Sequence, residues 1–132
     1  MKKIMVCFDG STVAKEALKL AQTHAKAFGA KVYLVTSMVG GPEVPRREFD
    51  NAERDLKEYA ETYFRQERID CETRLLIRGM SPGEDLVQFA EENEVAEIIL
   101  GVRRRSKVGK LLFGSTAQYV ILSAGCPVVT VK

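Results

Sequence analysis

The chain has 132 residues, 45% of them hydrophobic and 29% charged, and a formal net charge of +2 at neutral pH. This length predicts one soluble globular domain over residues 1–132, and the small net charge predicts no binding to nucleic acid. Because no stretch approaches eighteen consecutive apolar residues, no membrane span is expected. Three widely spaced cysteines indicate reduced thiols in a cytoplasmic protein.

The first half of the chain alternates between two hydrophobic periods. Residues 3–8 form a short apolar run, which predicts a strand covered on both faces. Apolar residues then recur at three- and four-residue steps over residues 12–28, which predicts an amphipathic helix ending at Gly29. A second strand is predicted over residues 31–36, and a long amphipathic helix over about residues 46–68.

The second half begins with a strand over residues 72–77, whose lower hydrophobicity is typical of an edge position. A helix start follows at Ser81-Pro82-Gly83-Glu84. There Ser81 is expected to cap the helix and Pro82 to occupy its first position. The Glu84 carboxylate is expected to reach back to the Ser81 N–H as a capping box.

A fourth strand over residues 97–100, a helix over 115–123 and a fifth strand over 127–131 complete the pattern. Five strands alternating with four helices predict a parallel sheet with helices on both faces, which is a doubly wound α/β fold. In such sheets, ligands bind beyond the carboxyl ends of the strands. The residues predicted at those ends are Asp9, Val35, Thr36, Gly79 and Gly101.

The segment between the fourth strand and the last helix has the parts of a phosphate site. Gly101 ends the strand, and Gly114 precedes Ser115 and Thr116 at the helix start. Backbone N–H groups at a helix N-terminus donate to anions, and glycine permits a close approach. The loop between the two glycines is basic, containing Arg103, Arg104, Arg105, Lys107 and Lys110.

Four motifs, taken in order, resemble the universal stress protein family. They are residues 6–14 (VCFDGSTVA), residues 79–84 (GMSPGE), residues 97–101 (EIILG), and Gly114-Ser115 followed by residues 126–129 (CPVV). Together they extend over the whole chain. The resemblance implies strand order 3-2-1-4-5 and a dimer formed through the C-terminal strand.

The nucleotide-binding branch of that family has a glycine, two residues, a second glycine, nine residues, and then Gly-Ser or Gly-Thr. Gly101 and Gly114-Ser115 match this pattern, but Arg104 stands where the second glycine is expected. If the backbone there requires a positive φ, the arginine costs roughly 1–2 kcal/mol. If its guanidinium contacts phosphate, it contributes roughly 1.5–3 kcal/mol. The sequence leaves both readings open, and we favour the phosphate contact.

The resemblance implies that Asp9 and Val35 hold adenosine. It also implies that the phosphates of ATP or AMP, with Mg²⁺ as a companion, are surrounded by Gly101, Arg103, Arg104, Gly114, Ser115 and Thr116. Each of these residues also has an explanation that needs no ligand. Asp9 is a good helix cap, and the cations of the loop also suit a solvated surface. We expect a stress-response regulatory module with slow or no ATP hydrolysis, because no positioned general base is visible.

Two alternatives remain open from the sequence. The first is a dimeric member of the same family that acts through protein interactions and does not bind nucleotide. The second is a phosphatase or phosphotransferase with Asp9 as the acceptor, although no second acidic residue or downstream lysine stands in an obvious setting for that chemistry. We expect a homodimer with Val128, Val129 and Val131 near the two-fold axis, because the last strand leaves an uncovered apolar edge. The alternative is a monomer in which Lys132 and the neighbouring loop guard that edge.

Overall fold

A computed structural model describes residues 1–102, 104–105, 111–112 and 114–132, with the backbone alone described for 104–105 and 111–112. The strands of the main sheet are β1 (Lys3–Cys7), β2 (Lys31–Ser37), β3 (Cys71–Leu76), β4 (Glu97–Gly101) and β5 (Val128–Val131). The helices are α1 (Thr12–Phe28), α2 (Arg46–Tyr63), α3 (Pro82–Glu92) and α4 (Ser115–Ser123). A 3-10 turn spans Arg65–Glu67, and Arg104–Arg105 pairs with Leu111–Leu112 in a short antiparallel ladder.

The main sheet has the order β3-β2-β1-β4-β5, and every pair in it is parallel. The predicted doubly wound α/β fold and its strand order are therefore confirmed. The chain turns from one side of β1 to the other after β3, so β2 and β4 flank β1. Their carboxyl ends diverge at this reversal, which is the place where such sheets form a ligand crevice.

Each face of the sheet packs against a separate hydrophobic layer. Ile4 and Val6 lie on the face covered by α1 and α2, whereas Met5 lies on the face covered by α3 and α4. This alternation follows from the period of two in a strand. All three side chains are fully buried. The sequences of the central strands are therefore continuous apolar runs, because both faces of these strands are covered.

The turn between β1 and α1 is fixed by local hydrogen bonds. The Ser11 hydroxyl accepts from the Ala14 N–H at 3.1 Å and caps α1. Gly10 has φ +81°, a conformation that side chains with a Cβ rarely adopt. At the other end, Gly29 closes the helix in the left-handed conformation, as predicted.

Several sequence predictions need correction at the element ends, and most of the strands differ by a single residue. Helix α2 stops at Tyr63 and not near residue 68, since a 3-10 turn takes over and Arg68 adopts φ 59°. Strand β3 starts and ends one residue earlier than predicted. At the start of α3, the Glu84 carboxylate accepts from the Ser81 hydroxyl at 3.0 Å, so the expected capping box to the Ser81 N–H is wrong.

Candidate functional site

A cavity of about 550 Å³ opens at the carboxyl edge of the sheet, a size within the usual range for small-molecule sites. Its walls come from the ends of β1, β2 and β4 and from the starts of α1, α3 and α4. Six of the residues predicted to form a site line this one cavity: Asp9, Val35, Gly101, Gly114, Ser115 and Thr116. The sequence had therefore predicted which edge of the sheet carries the cavity.

We call the part of the wall formed by Gly101, Gly114, Ser115 and Thr116 the helix end. Gly114 is the N-cap residue of α4, and no described side chain caps this helix. The Gln118 N–H donates to the Gly114 carbonyl at 2.9 Å and so begins the helical ladder. The N–H groups of residues 115–117 lie before that first bond, where helices leave their donors without intrahelical partners. The helix end therefore offers several N–H donors and the positive end of a helix dipole.

Gly101 is required by packing. A Cβ built on it would lie 2.7 Å from Val13 Cγ1, 3.1 Å from the Val13 carbonyl carbon and 3.2 Å from the Ala14 N. Two of these neighbours are backbone atoms of α1, which cannot move aside cheaply. Gly114 differs, because a Cβ there would meet no atom within 4 Å. The two glycines thus have different roles, one in the close contact of β4 with α1 and one at an open cavity wall.

Asp9 follows β1 and lies between the flanking strand ends. Its Oδ1 accepts from the Ser11 N–H at 3.0 Å, and the residue is exposed. The helix cap itself is Ser11, so the reading of Asp9 as the α1 cap is wrong in its detail. Asp9 instead closes the turn that precedes the cap, which holds its carboxylate at the mouth of the cavity.

We call the opposite part of the wall the strand end, formed by Cys7, Val35, Ser37, Pro82 and Leu86. Two hydrogen bonds fix its strands: the Phe8 N–H donates to the Val35 carbonyl at 2.8 Å, and the Thr36 hydroxyl donates to the Phe8 carbonyl at 2.7 Å. Val35 is fully buried. This end is mostly apolar, which suits the flat face of an aromatic or heterocyclic group.

Ser37 is the last residue of β2 and the hydroxyl-bearing residue of the strand end. Its Oγ is buried, yet it has no hydrogen-bond partner among the described residues. Thr36, one residue earlier, points to the other face of the sheet and uses its own hydroxyl on the Phe8 carbonyl. The described strand end therefore contains a buried side-chain oxygen that lacks a partner and lies among apolar neighbours.

The cysteines are all free thiols in the described structure. Burial raises the pKa of Cys7 to about 12, with a smaller contribution from the negative charge of Asp9. Burial likewise raises the pKa of Cys71 to about 12. Cys7 therefore contributes a neutral thiol to the cavity wall, where it acts as a small apolar group and a poor nucleophile.

A histidine beside a carboxylate and an arginine beside two carboxylates lie outside the cavity wall. His24 Nδ1 is 2.6 Å from Glu97 Oε1, where Glu97 is the first residue of β4 and so lies at the opposite edge of the sheet. Arg78 Nε donates to Asp85 Oδ1 at 2.5 Å, and its Nη1 donates to Glu92 at 2.9 Å. His24 and Glu97 join α1 to β4, and Arg78 ties the segment before α3 to that helix, so both contacts have structural roles.

Sequence reasoning missed most of the strand end. Cys7, Ser37, Pro82 and Leu86 were not predicted as site residues, although Ser37 shares a strand face with Val35 by the period of two. Arg103 lies outside the described residues, as does the side chain of Arg104, whose backbone pairs with Leu112. Among the described residues, no three His, Cys, Asp or Glu side chains are grouped in a way that could hold a metal ion.

The universal stress protein family model matches residues 1–132, so the chain belongs to that family. A universal stress protein of Methanocaldococcus jannaschii is 34% identical over 99% of this chain and 82% of its own length. The structure of a universal stress protein from Archaeoglobus fulgidus is 37% identical, covers 100% of this chain and 99% of that one, and superposes with a TM-score of 0.90.

A second Archaeoglobus fulgidus structure holds a ligand. This universal stress protein, solved in complex with dAMP, is 33% identical, covers 100% of this chain and 98% of that one, and has a TM-score of 0.85. The family resemblance found in the sequence is thus confirmed. No helix in the described part of the chain is both long and apolar enough to cross a membrane.

Proposed function

We propose that this chain binds an adenine nucleotide, ATP or AMP, as a cytoplasmic regulatory module of the stress response. The observation that carries the proposal is that one cavity has both a polar and an apolar part of its wall. An uncapped helix N-terminus lies on one side of the cavity, and an apolar wall at the strand ends lies on the other. Such a site suits a ligand that is anionic at one end and flat and apolar at the other. The dAMP complex of the similar Archaeoglobus fulgidus protein supports the same class of ligand.

The dimensions of the sheet support this orientation. Strands β2 and β4 each pair with β1, so their carboxyl ends are two strand spacings apart, about 10 Å. That separation is comparable to the distance between base and phosphate in a nucleotide. The phosphates would bind at Gly114, Ser115 and Thr116, with adenosine near Asp9 and Val35. Gly101 would leave room between them, and Arg103 and Arg104 remain proposed phosphate contacts.

Mg²⁺ would be held mainly by the phosphates. Mg²⁺ usually binds through one or two carboxylates together with substrate phosphates, and Asp9 is the carboxylate that the described cavity wall supplies. Neither histidine nor lysine lines the described cavity wall, and the Cys7 thiol there is neutral. Hydrolysis of ATP is therefore expected to be slow or absent, because the described cavity wall offers no general base other than Asp9, which is assigned to adenosine and Mg²⁺.

The proposal includes a homodimer through β5. Among the described strands, β5 pairs with β4 alone, and its Val128, Val129 and Val131 are half-buried. An apolar edge of this kind is usually paired or covered, and a two-fold axis would pair it with the same strand. Light scattering at micromolar concentration tests this: twice the chain mass of 14.7 kDa is expected, and the mass of a single chain would refute it.

Calorimetry on metal-free protein tests the proposed function directly. Titration with ATP and with AMP, each with and without Mg²⁺, is expected to give saturable binding of one nucleotide per chain. Mg²⁺ should strengthen ATP binding more than AMP binding, because only ATP can chelate the ion between phosphates. No measurable binding of either nucleotide would contradict the proposal and leave the non-nucleotide member of the family as the reading to pursue.

A further inference from the structure

We propose that the Ser37 hydroxyl hydrogen-bonds the base of the bound nucleotide and fixes how the base is seated. This inference rests on the proposed function and deepens it, because it assigns recognition of the base to the side chain of Ser37 in the cavity wall. Ser37 is the terminal residue of β2, and its residue partner on β3 is Leu76. The neighbouring Met38 N–H donates to the Leu76 carbonyl at 2.9 Å, so the backbone on both sides of Ser37 is tied to β3.

The Ser37 Oγ is buried and has no hydrogen-bond partner among the described residues. Nearly all buried polar side-chain atoms in folded proteins are hydrogen-bonded, so each exception calls for an explanation. A ligand atom that completes the bond is one such explanation, provided that the residue lines a cavity.

Ser37 lies among apolar neighbours at the strand end. It lines the cavity together with Cys7, Val35, Pro82 and Leu86, none of which offers a strong hydrogen-bonding side chain. The Val35 carbonyl already accepts from the Phe8 N–H, and the Thr36 hydroxyl already donates to the Phe8 carbonyl. Ser37 therefore carries the unengaged polar side chain of the described strand end.

The chemistry of the two cavity ends indicates which part of the ligand would meet Ser37. The helix end suits the phosphate of the ligand, so the part of the ligand about two strand spacings away would be its uncharged, aromatic part. A purine has an apolar face for the wall and a polar edge with both donors and acceptors. A hydroxyl both donates and accepts, so it can match that edge without bringing charge into an apolar region. The geometry thus points to the base edge, and not to ribose or phosphate, as the partner of Ser37.

The test compares Ser37→Ala with a matched control, Ser123→Ala, whose serine is exposed at the end of α4 and does not line the cavity. Calorimetry measures binding of AMP and of ribose 5-phosphate, which lacks the base, and thermal unfolding is measured without ligand. We expect Ser37→Ala to weaken AMP binding about five- to twentyfold and to leave ribose 5-phosphate binding unchanged. Its ligand-free melting temperature should stay the same or rise, because an unpaired buried hydroxyl has been removed.

The outcomes separate this inference from the proposed function. If the unmodified protein binds AMP and Ser37→Ala binds it equally well, the inference is wrong and the proposed function stands. An equal loss for AMP and ribose 5-phosphate would also overturn it, since the hydroxyl would then act on the shared sugar phosphate or on the fold. A protein that binds no AMP at all would overturn both. Ser37→Thr, which keeps the hydroxyl, is expected to retain more AMP affinity than Ser37→Ala.

Discussion

The two ends of the cavity are built from different parts of the chain and in different ways. The helix end consists mainly of backbone: exposed Gly114 and the first turn of α4 supply N–H groups without intrahelical partners. The strand end consists of side chains, with Cys7, Val35 and Ser37 brought together by the pairing of β1 and β2. The backbone donors of the helix end favour a negatively charged part of a ligand. At the strand end, the shape of the side chains and the Ser37 hydroxyl select which uncharged group fits.

The largest effect is expected from placing a negative charge at the helix end. Gly114→Asp should weaken AMP binding about a hundredfold, or roughly 3 kcal/mol, because a carboxylate would oppose the phosphate. The fold should be unharmed, since Gly114 has φ −64° and aspartate is a favoured N-cap residue. Calorimetry and thermal unfolding measure the two effects.

Gly114→Ala is the matched control for that experiment. A Cβ at this position meets nothing within 4 Å, so alanine tests added bulk without added charge. We expect a loss of AMP affinity much smaller than that of the aspartate variant. Equal AMP affinities for Gly114→Asp and the unmodified protein would mean that the phosphates bind elsewhere.

The next effect concerns stability and distinguishes the two glycines of the helix end. Gly101→Ala should lower the free energy of unfolding by about 1–3 kcal/mol, because its Cβ would lie 2.7 Å from Val13 Cγ1 and 3.1 Å from backbone of α1. Gly114→Ala should cost well under that amount. Urea denaturation measures both, and an unchanged midpoint for Gly101→Ala would show that β4 and α1 can separate without cost.

Arg104→Gly restores the glycine of the family's pattern and tests the basic loop. We expect it to weaken ATP binding several-fold, because a charge-assisted contact to phosphate would be lost. Binding of adenosine, which has no phosphate, should not change. Calorimetry with both ligands measures this, and tighter ATP binding by the glycine variant would show that the arginine obstructs the loop.

The smallest effect is expected at the strand end. Burial raises the pKa of Cys7 to about 12, so its reactive thiolate is scarce at pH 8 and only increases as the pH approaches that value. Alkylation by iodoacetamide should therefore be slow at Cys7 and slower still with AMP bound. Mass spectrometry of the modified peptides measures the rates, with half-buried Cys126 as the internal control. Faster alkylation of Cys7 in the presence of AMP would contradict a base at the strand end.

The same contrast explains what could be predicted from the sequence. The fold follows from the alternation of apolar periods, and the helix end follows from Gly101, Gly114 and Ser115, residue types that stand out at a strand end or a helix start. The strand end could not be predicted in this way. Cys7 and Leu86 look like ordinary core residues, and the isolation of the Ser37 hydroxyl depends on neighbours from β1 and α3 that are distant in sequence.

Element ends were also hard to predict where the pattern gives no signal. Phe64 and the polar residues after it continue the amphipathic pattern of α2, yet the chain leaves the helix through a 3-10 turn. Fully buried Phe64 sets this exit, because its carbonyl accepts from the Ile69 N–H at 2.9 Å and its side chain packs in the core. The end of α2 is thus set by tertiary packing, which helix propensity in the local sequence does not reveal.

Amide chemical shifts on isotope-labelled protein test most directly whether one ligand spans both ends. Inorganic phosphate is expected to shift the amides of residues 115–117, and adenosine those of Cys7, Val35 and Ser37. AMP should shift both groups at once with a single binding constant. If AMP shifted neither group, or shifted one group while leaving the other unmoved at saturation, the account of a nucleotide lying across the β2–β1–β4 edge would be contradicted.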